Sequence, residues 1–185
     1  MGARLGIDLD GVVVDFSGGW VARYNAEFGA NIAVEDVVTW GAPRELTHFP
    51  SMSKFWSWAR TCGDGRSLFH VLEPYEGALV GLDALVAAGH DLVIVTTKPS
   101  FAIKDTHEWL IRHQVPAVEV HIVDDKAAVS CDVYVDDAMH NLESYRRRRP
   151  DAVTVRWVQP WNSAVPGAID ATTWAEIAVI AREAD

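Results

Sequence analysis

Cysteine is nearly absent. Cys62 and Cys131 are the only two in 185 residues, which excludes a cysteine-built zinc cluster and a disulfide framework. The seven histidines show no His-Glu-x-x-His or comparable spacing, which argues against a zinc enzyme. Positive charge is also scarce. Lys and Arg number 16 against 26 Asp and Glu, for a net charge of -10. Phosphate backbones are held mainly by Lys and Arg, so a partner made of polymeric nucleic acid is excluded. No apolar run approaches the roughly 18 residues of a membrane span. Gly6 stands where a myristoylation signal wants Ser or Thr. The first apolar run begins by Leu5, leaving no room for a signal peptide. The expectation is a reduced, cytoplasmic protein with no membrane partner. Repeats and low-complexity tracts are absent too. What remains is an ordinary globular composition, 49% hydrophobic and 23% charged, in a length that suits one domain with a small insertion.

The chain is organised around Leu5-Gly6-Ile7-Asp8-Leu9-Asp10-Gly11-Val12. A short apolar run ends in two carboxylates at i and i+2, followed by glycine. As a buried parallel strand, it would present Asp8 and Asp10 where the strand stops, on the edge where open α/β sheets bind ligands. The other reading is a strand ending in a polar turn, because Asp-Gly is common turn chemistry. Downstream, Trp20, Val21, Tyr24 and Phe28 recur at helical spacing and Gly29 stops them. From there to Pro74 the pattern is irregular but rich in tryptophan, which predicts short helices. An alternating rhythm follows. Helical faces are predicted at Leu79, Leu82, Leu85 and Val86, then at Ile103, His107, Leu110 and Ile111, then across Met139–Arg149. Strands are predicted at Asp91–Thr97, Val118–Val123, Asp132–Asp137 and Ala152–Val158, and Thr173 with Glu176 reads as a capping box. The fold class is therefore α/β, a Rossmann-like parallel sheet. Residues 1–16 and 75–185 form its core and residues 17–74 a small helical cap. One link is short: eight residues join the third and fourth strands, fewer than a parallel crossover usually needs.

Four strand ends now carry polar groups in order: Asp8 and Asp10, Thr96 and Thr97, Lys126, then Asp136 and Asp137. Up to four carboxylates on one sheet edge repel each other unless cations intervene. Lys126 supplies one, and a hard divalent ion held by oxygens, Mg2+, supplies the other. Such a site accepts a phosphoryl group and sets a carboxylate nucleophile opposite a leaving oxygen. Other readings stand beside these. Asp136 and Asp137 also suit a solvated turn, and Thr97 a helix cap. Phe16, Trp40 and Phe69 also suit a core, Arg146–Arg149 a solvated helix end, and Trp161 plain packing.

The four motifs Asp8-Leu9-Asp10-Gly11-Val12, Thr96, Lys126 and Asp136-Asp137 resemble those of the haloacid dehalogenase (HAD) superfamily of phosphatases. Within it the chain resembles the 5'-nucleotidases typified by 5'(3')-deoxyribonucleotidases. Asp15-Phe16, Leu72-Glu73-Pro74-Tyr75-Glu76-Gly77-Ala78, the run Lys126, Val129, Asp132, then Asn141 and Pro160-Trp161-Asn162 carry that likeness. Thr96-Thr97-Lys98 stands where the type sequence has Thr-Ser-Pro, so Lys98 is a departure. The resemblance implies Asp8 as nucleophile and Asp10 as general acid and then base, with Thr96 and Lys126 on the phosphoryl oxygens. It implies Mg2+ on Asp8, the Asp10 carbonyl and one of Asp136 and Asp137, with Asp137 favoured. Phe16, Trp40 and Phe69 would pack on a nucleobase, with Thr97 and Lys98 beside the substrate.

The activity implied is Mg2+-dependent hydrolysis of nucleoside 5'-monophosphates through an aspartyl phosphate, on a small-molecule substrate. A homodimer is compatible with this. One rival keeps the chemistry and changes the substrate to a sugar phosphate or another phosphomonoester. A receiver-like signalling domain would carry its acidic pair first and its lysine last, an order this chain does not follow. A non-catalytic binding protein would not need all four motifs.

Overall fold

The computed structural model describes residues 2–62 and 65–184. Its centre is a six-stranded, all-parallel sheet in the order β3-β2-β1-β4-β5-β6. The strands are β1 (Arg4–Ile7), β2 (Asp91–Thr96), β3 (Glu119–Ile122), β4 (Val133–Asp136), β5 (Val153–Trp157) and β6 (Ile169–Ala171). β1 sits in the middle, with Ile7 beside Ile94 of β2 and Val135 of β4. The first five strands match the expected runs. The sixth has only three residues, too few for a periodic signal.

Alternation along each strand sorts the side chains into two layers. Leu5, Ile7, Leu92, Ile94, Val133, Val135 and Val155 face the larger core. That core is covered by α5 (Ala78–Ala87), α6 (Ile103–Arg112) and α8 (Trp174–Glu183), which bury Leu82 and Leu85, Trp109 and Leu110, and Ile177 respectively. Thr173 and Glu176 form the capping box that opens α8. On the opposite face Val93, Val95 and Tyr134 meet Ala127, Val129, Cys131 and Tyr145. Here α7 (Met139–Arg148) and the β3–β4 link share the covering. The short link is thus explained. β3 and β4 are not neighbours, and residues 123–132 lie directly on the sheet with only a 3-10 turn at Lys126–Ala128 instead of a crossover helix. Cys62 and Cys131 remain buried thiols, and no described helix is long and apolar enough to cross a membrane.

One expected helical face needs correction. In α6 the buried residues are Thr106, Trp109 and Leu110, while Ile103 is half-exposed and Ile111 is 77% exposed. Trp109 decides the rotation. It is larger than either isoleucine, and its indole N–H donates to the Leu72 carbonyl at 2.8 Å, satisfying the one polar atom it buries.

Between β1 and α5 the described residues form helices and no named strand: α1 (Phe16–Phe28), α2 (Ala42–Glu45), α3 (Met52–Ala59) and α4 (Leu68–Val71). Asp15 caps α1 by accepting from Gly18 N–H at 2.8 Å, and Gly29 ends it in the left-handed conformation. These helices share an aromatic packing unit. Trp20 meets Phe55 at 6.0 Å, Phe55 meets Trp56 at 5.1 Å, and Phe49 meets Trp58 at 5.6 Å. The irregular, tryptophan-rich stretch is ordered by ring packing, each such pair contributing roughly 0.5–1.5 kcal/mol beyond its buried area.

Candidate active site

The site lies at the C-terminal edge of the sheet, outside β1, β2 and β4 and next to the loop after β5. β1 delivers Asp8, whose N–H still bonds to the Val135 carbonyl at 3.0 Å. The chain then turns sharply. Val12, Val13 and Val14 N–H all converge on the Leu9 carbonyl, and Gly11 takes a φ of 79°. A Cβ on Gly11 would also come within 2.3 Å of Asp137 Oδ2. Glycine is required there for both reasons. The turn holds Asp10 beside Asp8 while returning the chain towards α1.

Thr96 ends β2 and is buried. Lys126 enters from the 3-10 turn of the link, 97% shielded, with Nζ 2.8 Å from Asp8 Oδ2 and 2.9 Å from Asp136 Oδ2. Asp136 is fully occupied. Besides Lys126 it accepts from Ala138 N–H at 2.9 Å, the Asn141 amide at 3.1 Å and the Tyr145 hydroxyl at 3.0 Å. Asp137 differs. Its Oδ2 accepts from the Trp161 indole at 2.7 Å, but its buried Oδ1 has no partner in the protein.

Asp8, Asp136 and Asp137 bring carboxylate oxygens within 4.8 Å of one another, all buried. Burial pushes Asp8 up to about 6, opposed by Lys126 and reinforced by Asp136. Burial, then Asp136 and Asp8, push Asp137 well above the ordinary carboxylate range. For Lys126 burial favours the neutral amine, but Asp136 and Asp8 outweigh it and hold the ammonium above its usual value. One ammonium cannot neutralise three buried carboxylates. The unpartnered Asp137 Oδ1 and the all-oxygen donor set fit a hard divalent cation such as Mg2+.

A cavity of about 500 Å³ opens from this edge. Asp8, Asp10, Thr96, Thr97, Lys98, Lys126 and Asp137 line its floor, and Phe16, Trp40 and Phe69 belong to its wall. Phe69 stacks on Phe16 at 5.8 Å and on Trp56 at 6.1 Å. Trp40 is different, 62% exposed at the rim with its ring edge against His140. Asp136 is the one expected site residue that does not line the cavity; it sits beneath the floor. The Thr97 hydroxyl donates to the Val123 carbonyl at 2.8 Å and caps no helix, since Pro99 precedes the next helical turn. Lys98 Nζ is 2.5 Å from Asp10 Oδ2. The arginine run closes α7 with Arg147 and Arg148 exposed, the solvated helix end expected. Arg149 donates to the Ala127 and Ala128 carbonyls, and Arg148 pairs with Asp125.

Several contributors escape a reading by motif. Trp56 and Met52 line the cavity from α3, within the stretch that has no regular pattern, and Trp20 and Val37 line it too. Tyr145 reaches Asp136 because it follows Asn141 by one helical turn, a spacing visible in the sequence. Trp161 and Asn162, of the Pro160-Trp161-Asn162 run that carries the family likeness, come from the loop after β5. Asn162 donates to the Asp137 carbonyl at 2.8 Å, and Gln159 donates to the Gly11 carbonyl.

Comparison with known proteins decides the kinship. The family model for 5' nucleotidase, deoxy (pyrimidine), cytosolic type C matches residues 3–184. The chain belongs to this 5'-nucleotidase family. It is a phosphoric monoester hydrolase. A Chlorobaculum tepidum protein provisionally named a 5'(3')-deoxyribonucleotidase is 29% identical over 151 residues, 78% of this chain and 74% of the relative. The human mitochondrial 5'(3')-deoxyribonucleotidase is 26% identical over 72% of this chain and 61% of its own length. The 5'(3')-deoxyribonucleotidase of Bacillus subtilis strain 168 is 23% identical, covering 94% and 95%. The fold is shared with a HAD-hydrolase of Bacillus subtilis solved with magnesium, at TM-score 0.64, 13% identity and coverage of 98% and 99%. It is also shared with a haloacid dehalogenase-like hydrolase of Streptococcus pneumoniae, at TM-score 0.62, 15% identity and coverage of 96% and 97%.

Proposed function

We propose that the protein hydrolyses nucleoside 5'-monophosphates, deoxyribonucleotides among them, in a Mg2+-dependent reaction through an aspartyl phosphate on Asp8. The observation that carries this is the aromatic cavity opening directly onto the Asp8–Asp10 edge. A flat apolar base fits rings stacked as Phe16, Phe69 and Trp56 are, whereas a sugar phosphate would find few hydrogen-bonding groups on that wall. Residues 17–74 act in this reading as the cap that carries most of the wall.

Asp8 attacks phosphorus with one carboxylate oxygen, while Lys126 holds Oδ2 and the Leu9 N–H holds Oδ1 at 2.7 Å. The P–O bond to the nucleoside breaks as Asp10 gives its proton to the departing oxygen. A water then adds to phosphorus, Asp10 takes its proton, and the bond to Asp8 breaks to release phosphate. Thr96 and Lys126 bind the phosphoryl oxygens. Asp8, the Asp10 carbonyl and Asp137 would hold Mg2+, which supplies charge neutralisation at the phosphoryl group. Asp136 orients Lys126, its own oxygens being taken up by Lys126, Ala138, Asn141 and Tyr145.

Phosphate release from a panel of nucleoside monophosphates and sugar phosphates, with Mg2+ and with chelator, tests the reading. Preference for the nucleotides and loss of turnover in chelator are expected. Equal or better turnover of sugar phosphates would overturn the substrate assignment, and full turnover in chelator would overturn the metal.

A further inference from the structure

Most of the wall of the main cavity is ring and aliphatic carbon, but two hydroxyls belong to it, those of Ser17 and Thr39. They are in different states. Thr39 is exposed and donates its hydroxyl to Glu45 Oε2 at 2.6 Å. Ser17 is only 7% exposed, and among the described residues its hydroxyl has no hydrogen-bond partner. It opens onto the cavity together with Phe16 and Trp20, its neighbours at the start of α1. A buried hydroxyl without a partner is unfavourable, so a ligand that supplies one is preferred to a ligand that does not.

Ser17 offers a second donor. The first N–H groups of a helix lack acceptors within it. In α1 Phe16 donates to the Val14 carbonyl at 2.9 Å, Gly18 to Asp15 Oδ1 at 2.8 Å and Gly19 to the Asp15 carbonyl at 3.1 Å. The Ser17 N–H has no acceptor among the described residues. A hydroxyl that can donate or accept and an N–H therefore sit together at one residue of the aromatic wall. Stacking holds a base without choosing it, because every base has a π face. A group that bonds the edge does choose, since bases differ in the donors and acceptors they carry there.

We propose that Ser17 is the specificity-determining residue of the wall, hydrogen-bonding the polar edge of a base whose face lies on the aromatic rings. The rings supply affinity for any base, and Ser17 ranks the bases. This rests on the nucleotide reading given above.

The test is kcat/KM, with Mg2+, for the wild type, Ser17→Ala and Ser17→Cys. The substrates are the deoxynucleoside 5'-monophosphates of adenine, guanine, cytosine and thymine, and the base-free deoxyribose 5-phosphate. This ratio reports stabilisation of the transition state relative to free enzyme and substrate. Ser17→Ala should lower it for the best nucleotide by roughly 5- to 100-fold, the cost of leaving a buried polar group unpaired. Poorer bases should lose less, so the spread among the four narrows, and deoxyribose 5-phosphate should barely change. Ser17→Cys keeps the size but has only a weak donor, and should follow Ser17→Ala. Thermal melts check that both variants fold, and Ser17→Cys carries the test should Ser17→Ala not fold. Equal losses on the nucleotides and on deoxyribose 5-phosphate would place the hydroxyl on the sugar or in packing and end the proposal. A spread that is absent from the wild type, or that Ser17→Ala leaves unchanged, would end it too. Wild-type spread in Ser17→Cys would make size the cause and not the hydrogen bond. A wild type that turns over deoxyribose 5-phosphate as well as the nucleotides would instead overturn the nucleotide reading, on which the proposal stands.

Discussion

The floor and the wall of the main cavity are built by opposite means. On the floor the charged groups are placed by specific bonds: Asp136 alone accepts from an ammonium, a backbone N–H, an amide and a hydroxyl. On the wall Phe16, Phe69 and Trp56 are placed by area and ring packing, with centroid separations near 6 Å and no single indispensable contact. The floor should therefore fail abruptly on one atom's change, and the wall should lose function by degrees.

The largest effect expected is at Asp8. Asp8→Asn removes the attacking oxygen and nothing nearby replaces it, so turnover should fall by more than the roughly 10²–10⁴-fold that acid–base catalysis contributes. The loss should persist on an aryl phosphate with a good leaving group. Acid-quenched intact-protein mass spectrometry of Asp10→Asn, which keeps the nucleophile, should show one added phosphoryl group mapping to Asp8. A label on another residue would contradict the assignment.

The two adjacent carboxylates sharpen the contrast within the floor. Asp136→Asn replaces a carboxylate that an ammonium and three further donors surround. Leaving Lys126 short of a buried partner typically costs about 3–5 kcal/mol. A clear fall in Tm and loss of activity should follow. Asp137→Asn removes a charge crowded against Asp8 and Asp136 whose Oδ1 has no partner. In chelator its Tm should rise, while the Tm gain from added Mg2+ should vanish. If Asp136→Asn removes the Mg2+ response and Asp137→Asn keeps it, the two have been assigned in reverse.

The same contrast governs what could be read from the sequence. Floor residues stood out because each is a polar side chain at the end of an apolar run, and Asp8, Thr96, Lys126 and Asp137 do converge. On the wall Phe16, Trp40 and Phe69 stood out as aromatic and do line the cavity, but Trp56 and Met52 gave no such signal, because they fall on a short helix whose rotation is set by partners distant in sequence. The α6 face was misjudged for that reason: Trp109 outweighed the isoleucine periodicity. β6 was too short to register.

On the wall, Phe16→Ala should lower kcat/KM for a nucleotide by roughly 10-fold, within the 1–3 kcal/mol that base–aromatic stacking usually contributes. A small aryl phosphate should lose much less. Equal losses on both substrates would make Phe16 a packing residue only.

The smallest effect tests how far support for the floor extends. Arg156 donates to Asp170 at 2.7 Å and to Asn162 Oδ1 at 3.1 Å, and Asn162 in turn donates to the Asp137 carbonyl. Through this chain an ion pair on β5 and β6 steadies the loop that carries Trp161. The hydrogen bond from Arg156 holds the Asp170 carboxyl below its ordinary value. A carboxylate depressed in the folded state adds stability above its unfolded pKa of about 3.9 and loses it as pH falls through the folded value. Asp170 is 49% exposed, so screening keeps the gain within the roughly 0–1 kcal/mol of surface pairs. Asp170→Asn should therefore melt slightly lower than the wild type at neutral pH, with the two curves converging below about pH 3.9. Nucleotide turnover should fall only slightly, because Asn162 keeps its bonds to the Asp137 and Trp157 carbonyls. A Tm difference that stays constant from neutral to acid pH would mean that Asp170 acts through packing and not through its charge. A large loss of turnover would mean that the floor depends on its outer supports more than its own dense bonding implies.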